Sequence, residues 1–119
     1  MRRYAFLKEP IKCNDQDIYK IMLYESDGGY SLFMYCSPDA EQCSFDEFYE
    51  TLEDLYEAWN GSIDERGWLD IEDPLPDCQH DAFIPIRVKE RNIGKPEWGK
   101  LETLRDGKWV DYRPVSEYK

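Results

Sequence analysis

Ser44-Phe45-Asp46-Glu47-Phe48-Tyr49-Glu50-Thr51-Leu52-Glu53-Asp54-Leu55-Tyr56-Glu57-Ala58-Trp59-Asn60-Gly61 is the stretch on which the fold turns. Phe45, Phe48, Tyr49, Leu52, Leu55, Tyr56 and Trp59 recur at three- and four-residue intervals, the spacing of one face of an α-helix. Ser44, with Glu47 three residues on, reads as a capping box in which hydroxyl and carboxylate satisfy orphan amides. Asn60-Gly61 suits the left-handed close of a helix. The spacing predicts one long amphipathic helix over residues 44–60. Its other face is Asp46, Glu47, Glu50, Glu53, Asp54 and Glu57. Acids in the first turn favour the positive end of the helix dipole. In a helix begun at Ser44, Glu53, Asp54 and Glu57 lie towards the wrong end, and like charges four apart repel. Helix stability alone does not call for them.

Strand patterns surround this segment. Residues 17–25 carry apolar side chains on both faces, as a central strand covered on both sides requires. Ser26-Asp27-Gly28-Gly29 provides glycines for a tight turn, and residues 30–36 form the returning strand. Leu101 to Arg105, Asp106-Gly107 and Lys108 to Tyr112 read as a second hairpin. Shorter strands are expected at 4–8, at 68–71 and at 83–88, where Pro85 suggests an edge or a bulge. Residues 92–96 read as a turn, and the chain from about Val115 as a loose tail. The expected fold is α+β: an antiparallel sheet of about five to six strands, with hairpins over 17–36 and 100–113, packed on the long helix. At 119 residues this is one globular domain spanning 1–119.

Charge is distributed unevenly. Between Lys20 and Arg66 there are twelve acids and no lysine or arginine, in a chain of formal net charge −11. Residues 1–20 sum to +2 and residues 84–119 to +3. Segregated charge makes a surface field, and fields select partners. The overall acidity argues against nucleic acid as a partner, even though the C-terminal third interleaves bases with Trp98, Trp109 and Tyr112. No stretch approaches the ~20 apolar residues of a membrane span, and the N-terminal apolar run is too short for a signal peptide. A cytoplasmic location is expected, with the four cysteines as reduced thiols.

Chemical motifs are weak. Gly94-Lys95-Pro96-Glu97-Trp98-Gly99-Lys100-Leu101 has phosphate-loop spacing up to the lysine, but Leu101 replaces the magnesium-binding hydroxyl and Glu97 repels phosphate. It reads as a glycine-punctuated turn. Cys36, Cys43, Cys78 and His80 could make a four-ligand zinc set, yet their spacing lacks the paired knuckles of structural zinc sites. Cys78 and His80 are also the residues a thiol or metal-dependent enzyme would use, with Asp77 and Asp81 nearby. The ordinary reading is scattered thiols and a surface-loop histidine. No family motif can be placed on this chain residue by residue, and no cofactor is implied.

The functional expectation is a non-enzymatic interaction module that docks a basic protein partner through Glu50, Glu53, Asp54 and Glu57. One alternative is a homodimeric structural protein that buries surplus aromatics such as Trp68, Trp98 and Trp109 in a self-interface. Another is an enzyme built on the Cys78/His80 loop.

Overall fold

Tight two-residue turns set the strand pairing. Asn14-Asp15, at φ 49° and 65°, closes a hairpin between β1 (Arg2–Cys13) and β2 (Gln16–Ser26). Asp27-Gly28, with Gly28 at φ 88°, joins β2 to β3 (Gly29–Tyr35). Left-handed backbone at such positions matches the twist of the strands it connects, and Asn, Asp and Gly tolerate it best. The computed structural model describes residues 1–89 and 100–112. The turn expected at 92–96, most of the phosphate-loop-like segment, Trp98 and the tail from Val115 lie outside them.

The chain forms two compact units, Met1–Asp73 and Pro74–Lys119. The first is a five-stranded antiparallel sheet of order β4-β3-β2-β1-β5, completed by β4 (Phe45–Tyr49) and β5 (Leu69–Ile71). β2 is the central strand, as its two-sided apolar pattern demands. β1 is far longer than the 4–8 strand expected. It pairs with β2 from Arg2↔Tyr24 to Cys13↔Gln16, with a register shift between Phe6 and Ile11. Pro10 falls inside that irregularity, where a missing amide costs no ladder bond.

The helix expected over 44–60 is overturned. Residues 45–49 are a strand, Glu50-Thr51 a turn, and only Leu52–Trp59 is α1, followed by a 3-10 turn over Asn60–Ser62. β4 pairs with β3 at five positions, from Met34↔Phe45 to Tyr30↔Tyr49. Pairing to a distant strand outweighs the local helical spacing. The cap is Thr51, whose Oγ1 accepts from the Asp54 amide at 3.1 Å. Ser44 instead donates its backbone amide to the Met34 carbonyl at 2.9 Å, leading into the strand.

Cross-strand partners share a face, so Ala5, Ile21, Leu23, Leu32, Met34 and Phe45 line one side of the sheet. Leu55 and Trp59 of α1 join most of them in the core of this unit. The opposite side buries Met22 and Tyr35 together with the charged Arg2 and Lys20. Arg2 is held by the Glu72 carbonyl, which accepts from its Nε at 2.7 Å and also from Nη2.

In the second unit, β6 (Ile86–Val88), β7 (Leu101–Arg105) and β8 (Lys108–Asp111) form a three-stranded antiparallel sheet of order β6-β7-β8. The expected hairpin is present, with Asp106 and Gly107 at φ 51° and 77°. Arg87 and Glu102 are cross-strand partners whose side chains are 10% exposed. Nε donates to Oε1 at 2.7 Å, and the guanidinium stacks 3.6 Å from the Trp109 ring centroid. Among the described residues, eight strands in two sheets thus replace the single sheet of five or six. The antiparallel α+β class holds, but its helix is short.

Candidate docking surface

Moving the helix start from Ser44 to Leu52 changes what its acids mean. Glu53 and Asp54 now lie in the first turn of α1, where they complement the positive end of the dipole. They have the local structural reason that a helix begun at Ser44 denies them. Glu57 does not: it sits in the second half, four residues after Glu53, and the last turn holds no basic residue. Leu55 and Trp59 point into the core, so Glu53, Asp54 and Glu57 share the outer face, and all three are exposed. Glu50 is exposed in the turn between β4 and α1. Among the described residues, no cation stands within ion-pairing distance of these four carboxylates. The ion pairs of this unit lie elsewhere, such as Arg3 with Asp70 at 3.0 Å and Arg66 with Asp64 at 2.6 Å.

The acids of β4 divide by face. Glu47 points to the helix side, where Oε1 accepts from the Tyr49 hydroxyl at 2.7 Å and from Trp59 Nε1 at 3.3 Å. Trp59 Nε1 also donates to the Tyr49 hydroxyl at 3.1 Å. Burial, followed by the bond to Glu47, pushes the Tyr49 pKa above its ordinary value, so this phenol stays protonated and donating. Glu47 therefore ties β4 to α1. Asp46 and Phe48 face the other way, in register with Phe33 and Ser31. Phe48 is 57% exposed. Its ring lies over Gly29, where an added Cβ would clash with Phe48 Cζ.

Charge also divides by unit. Residues 1–73 hold six lysines and arginines against eighteen acids, a formal −12, whereas residues 74–119 hold nine against eight, a formal +1. The basic N-terminal twenty residues thus belong to the more acidic unit.

The remaining candidates divide between the units, with Cys36 and Cys43 in the first and Cys78 and His80 in the second. Cys36 and Cys43 are half-buried, Cys78 is buried and His80 is exposed. Among the described residues, no three His, Cys, Asp or Glu side chains are grouped to hold a metal ion. Cys36 Sγ donates to Gln16 Oε1 at 3.1 Å. Cys78 is buried in the second unit, where its backbone bridges to Arg87. Of the tryptophans considered for a self-interface, Trp68 packs on Tyr56 at 5.7 Å and donates to Asn60 Oδ1 at 2.7 Å, and Trp109 covers Arg87. Both have intramolecular work.

Sequence reasoning missed the β4 edge. Its signal was present in Phe45, Glu47 and Tyr49 at alternate positions, masked by the polar character of Glu47. No helix among the described residues is long and apolar enough to cross a membrane. No family model, curated protein or solved structure matches this chain.

Proposed function

We propose that this protein is a non-enzymatic interaction module that docks a basic protein partner through Glu50, Glu53, Asp54 and Glu57. The observation that carries the reading is a set of four exposed carboxylates without a described cation partner, set in a unit of formal charge −12. Glu57 weighs most, since it lies in the second half of α1, where the helix gains nothing from an acid. Such a field raises encounter rates more than it deepens affinity, and salt screens it.

The test compares two variants of equal net charge. One carries Glu50→Gln, Glu53→Gln, Asp54→Asn and Glu57→Gln. The other carries Glu9→Gln, Asp15→Asn, Glu65→Gln and Glu72→Gln, all exposed positions in the same unit. Stopped-flow association with a lysine-rich probe peptide is expected to slow about tenfold in the first variant at low salt and clearly less in the second. Equal slowing in both would show diffuse charge rather than a docking face.

A further inference from the structure

β4 ends the five-stranded sheet. Its inner side is paired with β3 at five positions, and no described strand lies on its outer side. An edge strand presents unmet amides and carbonyls, and proteins commonly guard such edges with charged side chains, above all lysine, with proline, with a bulge or with a short strand. β4 contains neither lysine nor proline, and its register with β3 is unbroken. It carries Asp46 and Glu47 instead, next to the exposed ring of Phe48. That ring lies against the bare backbone of Gly29.

The charges decide what can occupy the edge. In a second copy, an antiparallel β4 pair centred on the strand would set Glu47 against Glu47, a shift of one residue towards Phe45 would set Asp46 against Glu47, and a shift the other way would set Glu47 against Phe48 and Asp46 against Tyr49. Like charges directly opposite destabilise a pair, whereas opposite charges favour it. The first two registers are thus disfavoured, no register of β4 against itself sets a base opposite Asp46 or Glu47, and a strand bearing bases is favoured.

We propose that the outer edge of β4 accepts an extended basic segment of a protein partner as a sixth strand. Opposite Phe48, Glu47 and Asp46 that segment presents, in turn, an apolar residue, a base and a base. Main-chain bonds supply the adhesion, and the side chains supply the selection. This inference rests on the basic-partner reading and adds a main-chain contact at the sheet edge to the acidic helix face.

The probe is a twelve-residue peptide of four Lys-Lys-Val repeats, compared with the same peptide N-methylated at every internal amide. The second keeps the charge and loses the donors. Titrations followed by amide NMR are expected to place the shifts at residues 45–49, with the methylated peptide binding at least about tenfold more weakly. Asp46→Lys should weaken binding of the unmodified peptide more than Glu57→Lys does. Should Asp46→Lys fail to fold, the two peptides on the unaltered protein still decide. Equal affinity for both peptides, or a larger loss from Glu57→Lys, would overturn the edge while leaving the acidic docking face in place. No binding of either peptide at low salt would overturn both.

Discussion

At the scale of single residues, the least ordinary side chain is Lys20. It is 4% exposed on the non-helix face of the central strand. Its ammonium donates to the Ala40 carbonyl at 2.9 Å and stands 5.1 Å from the Tyr35 ring centroid. Burial pushes its pKa down from 10.5 to about 8, against the upward pull of Asp39 and Glu41. Below pH 8 both folded and unfolded chains hold the proton, so stability does not change. Between about 8 and 10.5 only the unfolded chain holds it. Stability therefore rises with pH through that window, by roughly 3 kcal/mol over its full span. Lys20→Met has no such proton to release. Urea denaturation from pH 7 to 10.5 should show the parent protein gaining on Lys20→Met across the window. A constant difference between the two would mean that Lys20 titrates as an ordinary exposed lysine.

At the scale of elements, the hairpins were legible and the Phe45–Trp59 segment was not, for one physical reason. The turns at Asp27-Gly28 and Asp106-Gly107 carry their conformation in two adjacent residues, so the sequence displays them directly. The strand character of β4 comes from pairing with β3, which no local pattern records. Phe45, Tyr49, Leu52, Tyr56 and Trp59 satisfy helical spacing. They satisfy equally well a strand whose core face is Phe45, Glu47 and Tyr49 and which then turns into a helix. Glu47 hides that alternation because it looks like a solvent residue, whereas it accepts from Tyr49 and Trp59. The acidic residues of the candidate surface were readable as a group. Which of them the helix itself requires was not readable, because that depends on where the helix starts. A direct comparison separates the two starts. Thr51→Ala is expected to cost ~1 kcal/mol by removing the cap on the Asp54 amide, and Ser44→Ala close to nothing. Thermal or chemical unfolding measures both. A larger loss from Ser44→Ala would restore the longer helix.

At the scale of the whole molecule, the question is whether the acidic excess is useful only as a solubilising coat. A unit carrying eighteen acids and six bases repels itself, and self-repulsion opposes the compact state. Glu53 and Asp54 recover part of that cost through the helix dipole, but Glu57 recovers none and repels Glu53 across one turn. Glu57→Lys should therefore stabilise the fold. It replaces a like-charge pair by an attractive one and puts a cation near the negative end of α1, together worth ~1 kcal/mol. The gain should be largest at low ionic strength and should shrink by about 0.5 M salt, where screening acts within a few ångströms. If the surface also serves to attract a basic partner, the same substitution should slow association with a lysine-rich probe. A residue whose replacement improves the fold and impairs encounter is held by its role in binding. Unfolding and association measured on Glu57→Lys at two salt concentrations distinguish this from a plain coat. Stabilisation with unchanged association would leave Glu57 as solubilising charge alone.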